Sequence, residues 1–193
     1  FGGDRLLPEL TAKLSKLAPQ ATLVNFYGAT ETPQAAAFHV VDPDAHWATH
    51  PIGRGIDNMQ LRIVDAAREP APEGVPGEIA VATPFLSLGY VKGGAIEPHA
   101  RPGVYFTGDN GFTLPSGEVM FTGRGDDQVS IRGYRIELEE INRALKAIDG
   151  VRDAQVLVEG SGVTAKLVAF VAGDALDSDR LYAELGRSLP GYM

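Results

Sequence analysis

GRGDDQVSIRGYRIELEE, residues 123–140, is the stretch on which the reading of the fold turns. Three arginines and five carboxylates surround three glycines, which makes a polar junction. Gly133 then splits two short strand-like runs. From residue 137 the period changes, and Leu138, Ile141, Leu145 and Ile148 fall on one face of a helix over 137–148. Beyond it, AQVLVEG (154–160) and TAKLVAFVAG (164–173) predict two strands joined by a turn at 160–162. SDRLYAELGRSL (178–189) predicts an amphipathic helix with Ser178 or Asp179 as N-cap. The second half therefore reads as a small α+β unit.

Upstream of the junction the texture differs. Leu6, Leu7, Leu10, Leu14 and Leu17 have helical spacing, with Pro8 acceptable in a first turn, so a helix is expected over 6–17. ATLVNF (21–26) reads as a buried strand, YGATETP as a loop and AAAFHVV (35–41) as a further strand. Residues 42–58 have weak periodicity and read as irregular. MQLRIVD (59–65), GEIAVA (77–82) and GEVMFTG (117–123) alternate like strands of a small antiparallel barrel or meander. SLGYVKGG and YFTGDNG, between them, read as glycine-rich loops. The expected division is 1–125 and 126–193.

Composition narrows the function. The formal charge is −8, from 17 basic and 25 acidic residues. Residues 1–126 carry 9 basic and 14 acidic groups, and 127–193 carry 8 and 11. Neither part has the basic surface that a nucleic-acid partner demands. Apolar residues make up 44%, as in globular domains. The longest apolar runs, such as 167–172, are too short for a bilayer, so no membrane partner is expected. There are no cysteines, which excludes disulfides, thiol catalysis and thiolate metal sites. A cytoplasmic location is the expectation. His46 and His50 are four apart, but Pro43 and Pro51 flank them and helical period is lacking. They read as ordinary loop histidines rather than a zinc pair, with Trp47 as a packing anchor.

Three segments carry chemistry. In NFYGATE (25–31) a strand ends at a glycine turn that can offer amide N–H groups and a hydroxyl to an anion. Glu31 could help hold a Mg²⁺ that bridges phosphate oxygens, and Tyr27 offers a face for a base. In YFTGD (105–109) the two oxygens of Asp109 match the two hydroxyls of a ribose. In the junction, Arg124 is a forked donor for phosphate or sugar oxygens. Each segment alone also has an ordinary structural reading: a glycine turn, an Asx-type turn, and a solvated linker with surface ion pairs.

Their order adds what no single one supplies. FGGDRL, NFYGATE, PGEIAV, SLGY, YFTGD, GRGDDQVSIRGYRIELEEI and LPGYM resemble, in sequence and spacing, the core motifs of adenylate-forming enzymes. The resemblance is to the adenylation domains of nonribosomal peptide synthetases and runs from Phe1 to Met193. It implies a C-terminal portion of the large α/β adenylation subdomain, with a small β-barrel-like part, followed by a small mobile α+β subdomain. It implies a ligase that joins a carboxylic acid to ATP with loss of pyrophosphate. The acyl group would then pass to the phosphopantetheine thiol of a peptidyl or acyl carrier domain.

Residue by residue, the resemblance implies that Glu31 binds Mg²⁺ and Thr30 touches the α-phosphate. Gly28 and Ala29 would let backbone approach the nucleotide, Tyr27 would stack on adenine, and Asn25 would lie near its edge. Asp109 would chelate the ribose, Arg124 would bond ribose or phosphate, and Phe121 would add a stacking surface. Gly3 and Asp4 match a segment backing onto adenine. Gly2, Phe26, Gln34 and Ala35 would line the acyl pocket, Asp126 would be the hinge, and Gly133 would sit on the loop brought in for the thiol step. Departures are Asp4, Phe121, Ser130 and Glu139, where relatives carry glutamate, tyrosine, lysine and glycine.

The phosphate loop and an amine-pairing aspartate are expected upstream of residue 1, and a catalytic lysine beyond Met193. The chain alone is therefore expected to be inactive. Related readings are an acyl- or aryl-CoA ligase and an aminoadipate-reductase-type adenylation domain. A reading from another class is a non-catalytic docking module for a carrier protein.

Overall fold

The computed structural model describes every residue except 3, 4, 43, 46, 126, 127, 132, 161–163 and 175. The chain divides into two compact units, 1–126 and 127–193.

The first unit opens with α1 (Pro8–Leu17), in which Pro8 takes the first turn as its missing N–H allows. The leucine stripe does not bury this helix as its spacing predicts. Leu10 and Leu17 are exposed and the buried helical residue is Thr11. The cause is polar: Thr11 Oγ1 donates to the Pro8 carbonyl at 2.9 Å and lies 3.0 Å from Nε2 of buried His50. Leu6 is buried ahead of the helix.

Strands β1 (Val24–Tyr27), β2 (Ala37–Val40) and β3 (Arg54–Gly55) form an antiparallel sheet in that order. The region read as irregular thus contributes one short strand. β1 is only half-buried, with Asn25 inward and Phe26 outward. A second antiparallel sheet has the order β4 (Gln60–Val64), β5 (Gly77–Ala82), β8 (Val104–Thr113), β9 (Val119–Arg124). Between β5 and β8 lies a hairpin, β6 (Tyr90–Lys92) with β7 (Ala95–Glu97), where the sequence reads as loop. Ile52, Ile63, Ile79 and Val119 form one core cluster, with Tyr27 and Phe121 packed on it.

YFTGDNG is also strand rather than loop, and this difference makes the site. β5 opposes β8 with Glu78 against Asn110 but Ala80 against Phe106. One residue of β5, Ile79, is thus passed by Thr107, Gly108 and Asp109. A second register shift separates Asn110 from Gly111 against β9. Gly108 has φ of 74°. Bulges of this kind bend a strand and re-aim its side chains. The glycine therefore permits a bulge inside a strand, whereas a sequence reading takes it for a strand end.

The second unit contains hairpin β10 (Gln128–Ile131) with β11 (Tyr134–Glu137), helix α2 (Leu138–Lys146), hairpin β12 (Val151–Glu159) with β13 (Lys166–Gly173), and α3 (Ser178–Ser188). Ile131, Ile136, Ile141, Leu145, Ala154 and Val156 make its core. Asn142 is buried among them, and its Oδ1 accepts the Val156 N–H at 2.8 Å. The α3 cap is Asp177, one residue ahead of the expected pair, and its carboxylate accepts from Asp179 N. The Tyr134 and Tyr192 rings stack 4.6 Å apart and 5° from parallel. Among the described residues no helix is long and apolar enough to cross a membrane.

Candidate functional site

The bulge in β8 faces the end of β1. Asp109 and Arg124 are directly opposed cross-strand partners, and Arg124 Nη1 donates to Asp109 Oδ1 at 2.5 Å. Tyr27 Oη donates to Asp109 Oδ2 at 2.6 Å. Three segments far apart in sequence thus meet at one carboxylate. Arg124 Nη2 also donates to the Thr107 carbonyl at 3.1 Å. Both charged side chains are mostly withdrawn from water, at 17% and 14% exposure. Burial pushes the Tyr27 phenol well above its ordinary range, and the Asp109 charge and hydrogen bond push the same way. Tyr27 is accordingly a neutral donor.

Asp109 does not make the self-contained turn that a TGD sequence permits. Thr107 Oγ1 accepts the Asp109 N–H at 3.1 Å and donates to the Ile79 carbonyl at 2.7 Å. Glu78 Oε1 takes the Gly108 N–H at 2.9 Å. With its backbone held by others, the carboxylate is directed at Tyr27 and Arg124.

The loop after β1 folds back on itself. A Cβ on Gly28 would lie 2.4 Å from the Gln34 carbonyl oxygen, so only glycine fits this approach. Thr32 Oγ1 accepts the Ala29 N–H at 3.1 Å, and Ala36 N–H donates to the Tyr27 carbonyl at 2.7 Å. Thr30 is exposed and Glu31 half-buried. Tyr90 Oη donates to Glu31 Oε1 at 2.9 Å.

Other expected residues fall in different surroundings. Asn25 is buried, with Nδ2 donating to the Pro51 carbonyl at 2.8 Å, so its amide serves the sheet rather than a base edge. Phe121 carries the Arg5 guanidinium 5.0 Å from its ring centre, and Arg5 also donates to the Thr122 carbonyl. Gly2 lies beside Phe26 in a parallel bridge. Phe26 is exposed, as is Gln34, while Ala35 is half-buried. Gly133 sits at the β10–β11 turn with φ of 81° and open space where a Cβ would stand. Gly3, Asp4, the hinge residue Asp126 and His46 lie outside the described residues.

Histidine 50 lies in a loop, as its setting suggests, but not at the surface. It is buried, and its ring centre is 6.2 Å from that of buried His39. His39 Nδ1 lies 2.7 Å from Glu118 Oε1. His39 Nε2 and His50 Nδ1 have no partner among the described residues. Sequence reasoning also missed Arg5, Thr107 and the Tyr90 contact. Only SLGY, a recognised motif without an assigned role, signalled the last.

Residues 1–91 match the family described as AMP-binding enzyme. Over that segment the chain is similar to AMP-binding enzymes. It is 36% identical over 204 aligned residues to tyrocidine synthase 3 of Brevibacillus parabrevis, covering 100% of this chain and 3% of that protein. Among solved structures it resembles holo-PA1221, a nonribosomal peptide synthetase protein with adenylation and PCP domains bound to a vinylsulfonamide inhibitor. The identity is 28% and the TM-score 0.85, covering 100% of this chain and 35% of that one. It also resembles the Vibrio cholerae adenylation domain AlmE in complex with glycyl-adenosine-5′-phosphate. There the identity is 27% and the TM-score 0.85, over 99% of this chain and 39% of that one. The chain thus spans a small fraction of the length of the synthetases it matches.

Proposed function

We propose that the chain is part of an amino-acid-activating ligase. Such a ligase makes an aminoacyl-adenylate from ATP and an amino acid, then passes the acyl group to a carrier-domain phosphopantetheine. The observation that carries this reading is the meeting of Tyr27 and Arg124 on Asp109. In it, Asp109 takes the ribose hydroxyls, Tyr27 lies under adenine, and Arg124 bonds ribose or phosphate oxygens. Thr30 meets the α-phosphate. The chemistry asks little proton transfer of the protein. It asks that the acid be held in line with the α-phosphate and that developing charge be met by fixed donors.

Glu31 suits a divalent cation only as one ligand among several. The described residues hold no group of three or more His, Cys, Asp or Glu side chains that could bind a metal. Mg²⁺ typically takes one or two carboxylates and keeps waters and phosphate oxygens, and one half-buried glutamate fits that pattern. When bound, the ion would neutralise phosphate charge.

Gly2, Phe26, Gln34 and Ala35 line the acyl pocket in this reading, and the amide of Gln34 favours a small or polar substrate. The division into units 1–126 and 127–193 supports a hinge at Asp126 between the parts 1–125 and 126–193. The open surroundings of Gly133 support a loop free to approach a thiol arm. The glycyl-adenylate held by AlmE and the PCP domain of PA1221 support the substrate class and the partner.

The test is nucleotide binding and ATP–pyrophosphate exchange by the protein that carries the complete adenylation domain, offered amino, aryl and fatty acids. Asp109→Ala is expected to weaken AMP binding at least tenfold, since two hydrogen bonds to a charged group are lost. Undiminished AMP affinity would sink the nucleotide reading in favour of a docking module. Exchange with fatty or aryl acids alone would shift the substrate class.

A further inference from the structure

Glu31 leaves its loop beside a cluster that the reading above does not use. Besides the Tyr90 hydrogen bond, the Ser87 N–H donates to the Glu31 carbonyl at 2.9 Å. The segment 87–90 therefore grips this residue by both backbone and side chain. His99 Nε2 lies 2.8 Å from Ser87 Oγ. Its ring meets Tyr90 edge-on at 5.4 Å and Tyr105 edge-on at 5.7 Å. His99 is thus braced by Ser87 and wedged between two aromatic rings, one of which carries the hydroxyl bonded to Glu31.

We infer that Tyr90 is a positioning residue for Glu31. Its hydroxyl fixes the carboxylate before a divalent cation arrives on nucleotide phosphates, and His99 holds the Tyr90 ring in place. The inference rests on the proposed role of Glu31. A glutamate has several rotatable bonds, and ordering such a side chain on ligand binding costs up to about tenfold in affinity. A hydrogen bond to a charged acceptor, already made, removes that cost in advance.

The experiment uses the protein with the complete adenylation domain and reads Mn²⁺ binding in the presence of ATP by electron paramagnetic resonance. The Mg²⁺ concentration for half-maximal pyrophosphate exchange is read beside it. Tyr90→Phe keeps the half-exposed ring and removes only the hydroxyl. It is expected to weaken Mn²⁺ binding and raise the Mg²⁺ requirement by about tenfold, with the amino-acid KM and the melting temperature unchanged. His99→Leu keeps apolar packing but loses the Ser87 brace, and about a threefold shift in the same direction is expected. Glu31→Gln should abolish the Mn²⁺ response. If Tyr90→Phe and His99→Leu keep wild-type Mn²⁺ affinity while Glu31→Gln loses it, the positioning role is wrong and the role of Glu31 stands. If Glu31→Gln also keeps it, the role of Glu31 is wrong and the inference falls with it. Should Tyr90→Phe not fold, His99→Leu decides alone.

Discussion

At the scale of the residue, Asp109 and Arg124 form a largely buried cross-strand ion pair on which the stability of the first unit depends. Removing one partner of a largely buried ion pair strands the other charge away from water, which costs about 3 kcal/mol. Arg124→Met, which keeps much of the stem volume, should therefore lower the urea unfolding free energy of the first unit by about that amount. Double replacement with Asp109→Leu should recover part of the loss, because neither charge is then stranded. A loss in Arg124→Met below about 0.5 kcal/mol would mean the pair is solvated as surface pairs are. The three residues at this carboxylate were legible in sequence because each sits in a short motif of fixed spacing. Arg5 over Phe121 and Thr107 beneath Asp109 were not. Their partners are set by strand register, which a local window does not contain.

At the scale of the element, the glycine-rich YFTGDNG run shows where sequence patterning misleads. Gly108 marks a bulge within β8, and only the register against β5 on one side and β9 on the other makes that visible. α1 misled in the opposite sense, since its leucine spacing is helical but Thr11 is what the helix buries. By contrast α2 reads directly, because Ile141 and Leu145 are both periodic and buried. Asn142 is the exception on that helix. It closes the ladder of the second unit by accepting the Val156 N–H. Asn142→Leu keeps the volume but leaves that buried donor unpaired, and should destabilise the second unit by about 2 kcal/mol. Amide hydrogen exchange at Val156 should rise with it. Unchanged protection there would show that the bond contributes nothing.

At the scale of the whole molecule, the first unit carries a buried group that answers acid. His50 joins α1 to the first sheet from a buried position, facing His39, which in turn meets Glu118, and bonded to Thr11. Burial, with His39 adding, lowers its pKa from the ordinary value near 6.5. The unfolded chain then binds the proton more readily than the folded one. Stability contributed by neutral His50 is full above about pH 6.5 and is lost as pH falls from there toward the lowered folded value. Urea midpoints of the first unit should drop between pH 7.5 and pH 5.5, and His50→Gln should flatten the drop. An equal drop in that variant would place the acid sensitivity elsewhere.

The stacked phenols of the second unit give the chain an optical property of its own. The sequence holds a single tryptophan, Trp47, in the first unit. Light absorbed by indole alone therefore reports only that unit. Tyr134 and Tyr192 lie face to face at close range, so their transition dipoles couple and give the second unit a near-ultraviolet circular-dichroism signal. Each unit thus carries its own intrinsic reporter, and the melting of one can be followed without labelling either.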